Sequence, residues 1–137
     1  MATDVWRLYQ DIFGKRILFV DDEQPVKPGM IRFVGSRFVS HVTSGMDALT
    51  AIYRQPPDII LLDTSLPDMS WSQVVRALRQ NRLTKSALIV AMTSKPWQRS
   101  ECLAAGCDDC ILKPFGKTKL LDRLCTLVEA QAAVSRS

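Results

Sequence analysis

Nothing in the 137 residues approaches the roughly 20 consecutive apolar positions that a bilayer-spanning helix needs. The N-terminus, MATDVWRLYQ, mixes polar and apolar residues and lacks the hydrophobic region of a signal peptide, so nothing there directs secretion. There is no internal linker and no low-complexity stretch, and the length suits one domain with a core of its own. Basic residues do not run together: 18 Lys and Arg against 14 Asp and Glu are scattered, which reads as a solvated surface rather than a nucleic-acid footprint. Cysteine is confined to positions 102, 107, 110 and 125, and without a secretory signal these fit reduced thiols in a cytosol better than a disulfide framework.

What the chain does carry is a strand-like and helix-like alternation, repeated five times. RILFV (16–20) is a short apolar run, and Val26, Met30, Phe33 and Val34 follow at helical spacing. RFVSHVT (37–43) alternates as a strand does, and Met46, Leu49, Ile52 and Tyr53 form a helical stripe. IILL (59–62) is a third strand, after which Val74, Val75 and Leu78 mark a helix ending near Asn81. ALIVAM (87–92) is a fourth; Pro96 suits the first turn of the next helix and Gly106 its end. CIL (110–112) is a short fifth strand, and Leu120, Leu121, Leu124, Leu127 and Val128 give the apolar face of a last helix.

Strands that are apolar throughout are expected in a parallel sheet covered on both faces, with the helices as crossovers. The fold class is therefore α/β, a doubly wound open sheet. Residues 1–14 precede it: Val5, Leu8, Tyr9 and Ile12 predict a short amphipathic helix that either caps the domain or serves as a docking or dimerisation arm. Residues 15–130 are the domain proper, and 131–137 are expected as a flexible tail.

Four strands run directly into polar groups. RILFV ends on Asp21, Asp22 and Glu23, IILL on Asp63, ALIVAM on Thr93 and Ser94, and CIL on Lys113. In a parallel sheet these ends share one edge, where open α/β folds bind ligands. Carboxylates converging there repel one another unless a cation joins them, and a hard divalent ion such as Mg²⁺ resolves this while leaving room for phosphate oxygens. Lys113 and the Thr93 hydroxyl complete a set suited to an anion, so an aspartate attacking phosphorus fits the group.

ILFVDDE, DIILLDTSLPDM, AMTS and LKPF, in this order and spacing, resemble the receiver domain of two-component response regulators over about residues 15 to 130. The resemblance implies a flavodoxin-like sheet of order 2-1-3-4-5. It implies that Asp63 accepts a phosphoryl group from a histidine kinase or histidine phosphotransfer protein. Asp21, Asp22 and Asp63, with the backbone carbonyl of Ser65, would hold Mg²⁺. Thr93 would move towards the phosphate, Lys113 would pair with it, and the bond from Lys113 to Pro114 would be cis. Thr93, Cys110 and Pro114 would form the switch. Because only about ten residues follow the last apolar helical position, the chain is expected to be a cytoplasmic, stand-alone signalling module rather than a turnover enzyme; a piece cut from a larger regulator or hybrid kinase stays open as the alternative. Its output would be a downstream protein target, with no direct nucleic-acid or membrane contact and a homodimer as a further candidate partner.

Three departures stand out. Trp71 occupies the place where the family's loop usually has Gly, which predicts a different helix start. Cys110 replaces the switch aromatic, and a thiol cannot report the switch by filling an aromatic-sized pocket. KPG (27–29) interrupts the first helix, which is expected to begin near Pro28. Trp97 is a candidate to fill the space left at Cys110. CDDC (107–110) has the spacing of a redox or zinc motif, but its acids disfavour a thiolate and the structural reading is preferred. His41, the one histidine, lies mid-strand and reads as packing or surface. Two other function classes stay open. One is a phosphate-independent binding module with an altered switch; the other is a small hydrolase using Asp63, against which Ser65 argues because an acid is wanted there.

Overall fold

Residue 12 and residues 14–22 and 39–136 are described by the computed structural model. In chain order they form β1 (Ile17–Val20), β2 (Val39–Val42), α1 (Gly45–Arg54), β3 (Ile59–Asp63), α2 (Trp71–Gln80), β4 (Leu88–Thr93), α3 (Gln98–Ala105), β5 (Asp109–Leu112) and α4 (Lys117–Arg136). All strand pairs are parallel, in the order β2-β1-β3-β4-β5. This is the doubly wound sheet expected from the sequence. The helix expected over Val26 to Val34, with its start near Pro28, lies outside the described residues. So does most of the 1–14 arm. Its Ile12 is described, and is helical and fully buried.

The continuous apolar strands are explained by their two covered faces. Ile17, Phe19, Ile59, Leu61, Val90 and Ile111 point to one side, where α4 packs Leu120, Leu121, Leu124, Cys125 and Val128 together with Ile12. Leu18, Val20, Ile60, Leu62, Ile89 and Cys110 point to the other, against Ile52 of α1, Val74, Val75 and Leu78 of α2, and Cys102 of α3. Each large side chain removed from water in this way contributes about 1.5–3 kcal/mol.

Several local expectations shift. The buried stripe of α1 is Gly45, Ala48 and Ile52, whereas Met46 and Tyr53 are 60% and 68% exposed. Small residues set that register: a Cβ on Gly45 would lie 2.9 Å from both the Met69 sulfur and a Val74 methyl, so α1 approaches α2 where a side chain is missing. Trp71 is accommodated without a positive φ. Ser70 accepts a hydrogen bond from the Gln73 N–H at 3.3 Å, and the Gln73 side chain accepts from the Ser70 N–H at 3.1 Å. This capping box starts α2 at Trp71 itself. Pro96 sits in a turn ahead of α3 rather than in its first turn, with Gln98 N–H bonded to the Lys95 carbonyl. Gly106 ends α3 with φ 118°, as only glycine does readily. The tail expected over 131–137 is instead helical to Arg136, and Gln131 donates to the Ser86 carbonyl at 2.8 Å.

Two polar knots fix the half of the sheet that carries β4 and β5. Arg79 of α2 donates to the carbonyls of Gly106, Lys85 and Ala87 and to the Asp108 carboxylate. Asp109, buried at the start of β5, accepts from Arg123 of α4, Arg99 of α3 and the Cys110 N–H. Burial pushes the Asp109 carboxyl up, but these hydrogen bonds outweigh it and hold the group below its ordinary value of 3.8.

A depressed carboxylate stabilises the fold above its unfolded pKa and loses that contribution as pH falls through the folded one. Asp109→Asn is therefore expected to lower the urea-unfolding free energy by about 1–3 kcal/mol at neutral pH. The gap to the wild-type chain should close in titrations taken below about pH 4. A gap that does not change with pH would contradict this account.

Candidate phosphoryl and metal site

Strand register alone assembles the carboxyl edge. Val20 pairs with Leu62 and Asp63 with Met92, so Asp21, one residue past Val20, lies beside Asp63. Backbone bonds continue the ladder one residue past the strands. Asp21 N–H reaches the Val42 carbonyl, Thr64 N–H the Met92 carbonyl and Lys113 N–H the Thr93 carbonyl. Each functional side chain therefore grows from backbone that is pinned on its neighbour strand.

The geometry brings together most of the residues expected from the sequence. Carboxylate oxygens of Asp21, Asp22 and Asp63 all lie within 4.8 Å of one another. Lys113 Nζ is 3.3 Å from Asp63 Oδ1 and 3.7 Å from Asp21 Oδ2. Ser65 donates its backbone N–H to Asp63 Oδ1 at 3.2 Å. The Lys113–Pro114 peptide is cis, as expected. Thr93, buried at the end of β4, directs its hydroxyl to Gln98 instead of the carboxylates, and its oxygen accepts from the Lys95 N–H at 3.0 Å.

Asp63 is 3% exposed, and its carboxyl is pushed above the ordinary 3.8. Burial is the main cause and Asp21 adds to it, while Lys113 and the Ser65 N–H pull the other way. Three carboxylates against one ammonium leave the edge with excess negative charge. That donor set, all oxygen and partly desolvated, fits a hard divalent cation.

Supporting residues were less legible. Asp68 accepts the N–H groups of Met46 and Gly45 at 2.9 and 2.8 Å, tying the loop after Asp63 to the first turn of α1; these bonds hold its carboxyl below the usual range. His41 donates from Nε2 to the Asp21 carbonyl at 2.9 Å, so it supports the backbone of the acidic pair. Gln98 accepts from Thr64 at 3.0 Å as well as from Thr93. No spacing rule points to Gln98, because its role depends on where α3 meets the sheet.

Of two sequence expectations on the β5 side, the one for Trp97 fails and the one for CDDC agrees with the structure. Trp97 is 67% exposed and does not fill space at Cys110, which is itself buried among Cys102, Cys107 and neighbouring core residues. The CDDC segment is structural. Burial pushes the Cys102 and Cys107 thiols up to about 12, and Asp108 and Asp109 pair with arginines.

Comparison with known proteins agrees with this geometry. The family model described as "Response regulator receiver domain" matches residues 17–125. The transcriptional regulatory protein KdpE of Mycobacterium tuberculosis is 32% identical over 121 residues, 87% of this chain and 53% of that protein. The phosphate regulon transcriptional regulatory protein PhoB of Pseudomonas aeruginosa is 34% identical over 116 residues, 81% of this chain and 50% of its own. The chain thus spans about half the length of these curated relatives. Among solved structures, the receiver domain of sensor histidine kinase PA1611 from Pseudomonas aeruginosa, with magnesium in its active-site cleft, superposes with a TM-score of 0.76 at 32% identity. That match covers 85% of this chain and 98% of that one. Chemotaxis response regulator CheY4 of Vibrio cholerae gives 0.75 at 26% identity, covering 84% and 98%.

A carboxyl whose folded pKa is raised penalises the folded state above that pKa, and the penalty disappears below the unfolded value. In metal-free buffer at neutral pH, Asp63→Asn should therefore raise the thermal midpoint read by circular dichroism. The advantage should vanish towards pH 4 (about the ordinary carboxylate value). A variant less stable than wild type under those conditions would show that burial does not penalise the Asp63 carboxylate.

Proposed function

This chain belongs to the response regulator receiver domain family, and we propose that Asp63 is its phosphoacceptor. The observation that carries the reading is the Lys113 ammonium 3.3 Å from Asp63, beside an acidic pair that converges on the same point. In the proposed reaction an Asp63 oxygen attacks the phosphorus of a phosphohistidine on a histidine kinase or histidine phosphotransfer protein. The P–N bond breaks, the imidazole leaves, and an acyl phosphate remains on Asp63.

Asp21, Asp22 and Asp63, with the Ser65 carbonyl, would hold Mg²⁺, which when bound supplies neutralising charge to phosphoryl oxygens. Lys113 supplies a second positive charge, its ammonium 3.3 Å from Asp63 Oδ1 and 3.7 Å from Asp21 Oδ2. Thr93 provides a hydroxyl donor once it leaves its present partner. Water returning the acyl phosphate to a free carboxylate would reset the module, so the chain is a switch and not a turnover catalyst. Its output in the cytoplasm is contact with a downstream protein, driven by a shift between two conformations.

Incubation with Mg²⁺ and acetyl phosphate is expected to give an adduct of one phosphoryl mass by intact-protein mass spectrometry. Chelation with EDTA should prevent it and Asp63→Asn should abolish it. An adduct that persists in Asp63→Asn would move the acceptor to another residue.

A further inference from the structure

Resting on the phosphoacceptor reading above, we infer that Gln98 is the latch of this switch: its side-chain carbonyl holds the Thr93 and Thr64 hydroxyls together and is displaced when a phosphoryl group arrives. A threonine hydroxyl has one proton to donate. Here the Thr93 proton goes to Gln98 Oε1, while the Thr93 oxygen accepts from the Lys95 N–H at 3.0 Å. Gln98 Oε1 also accepts from Thr64 at 3.0 Å, the residue directly after the phosphoacceptor. Both lone pairs of one carbonyl thus join the ends of β3 and β4. A phosphoryl oxygen on Asp63 can gain the Thr93 proton only if Gln98 gives it up, so the two acceptors compete for one donor.

Gln98 is the first residue of α3, which makes the competition consequential. That helix buries little of itself: Cys102 is its one buried residue, and Trp97 at its N-cap makes no side-chain capping bond. On the β5 side Arg99 ties it to Asp109 and to the Cys110 carbonyl at 2.9 and 2.8 Å. Release at Gln98 with Arg99 held would free the start of α3 to move about a fixed point. The exposed Trp97, one residue away, would move with it. Signal would then leave through α3, by a route that needs no large side chain at Cys110.

The test uses beryllium trifluoride with Mg²⁺ as the acyl-phosphate mimic, on the full chain, followed by backbone amide NMR. In the wild-type protein the mimic should shift the amides of residues 98–105. Gln98→Met keeps the side-chain length and removes the acceptor. Its mimic-free spectrum should already show those amides displaced along the same direction, and it should bind the mimic about fivefold tighter, the loss of one competing hydrogen bond. Thr64→Val, which removes one arm and leaves the Thr93 bond, should give a smaller effect of the same sign and serves if the first variant does not fold. Wild-type affinity and wild-type α3 shifts in a folded variant would overturn the latch while leaving the acceptor intact. No binding of the mimic by the wild-type chain would overturn the acceptor reading, and the latch with it.

Discussion

The electrostatic crowding at the carboxyl edge governs the rest of the molecule. Carboxylates from β1 and β3 are held within 4.8 Å of each other with one ammonium among them, an arrangement that would spread apart in water. What keeps it is the parallel ladder beneath it, whose side chains are buried on both faces. The apolar strands hold the charges at a spacing that their own repulsion opposes, and the Asp63 carboxyl is raised chiefly by its burial there, with Asp21 adding to the shift and Lys113 opposing it. A cation or a phosphoryl group changes that balance directly, which is why such ligands suit this edge.

Anchorage is unequal around the edge, and the inequality has a direction. The α2 side is stitched through Arg79 to three carbonyls and to Asp108, and α4 is bound through Arg123 to Asp109 and buries a long apolar face. The acceptor loop is tied by Asp68 to the first turn of α1. Between these fixed parts, α3 buries one cysteine and depends on Gln98 and Arg99 for its polar ties.

The departures from the family pattern become consistent in this light. Trp71 takes a position usually given to glycine, and the Ser70–Gln73 capping box starts the helix without any left-handed residue. Cys110 is packed with Cys102 and Cys107 under α3, so that position is a filled core site rather than a rotating reporter. Where the usual side chain is absent, a glutamine on the neighbouring helix accepts a hydrogen bond from the Thr93 hydroxyl.

Apolar patterning was enough for the class of sheet and for the edge to which Asp21, Asp22, Asp63, Thr93 and Lys113 come, while the strand order followed from the resemblance to receiver domains. Apolar runs ending on polar residues can satisfy burial in few ways, and parallel crossovers leave one edge for every strand end. Which residues support those groups depends on tertiary contacts. Met46 and Tyr53 looked like core by spacing, yet the small side chains of Gly45 and Ala48 turned α1 by one position so that it could approach α2. Trp97 looked like filler and is exposed; His41, read as packing or surface, bonds the Asp21 carbonyl, and Gln98 and Asp68, which no pattern singled out, bond the residues around the site. Each of these depends on contacts across many residues of chain, and periodicity reports a helix's own faces but not what stands opposite them.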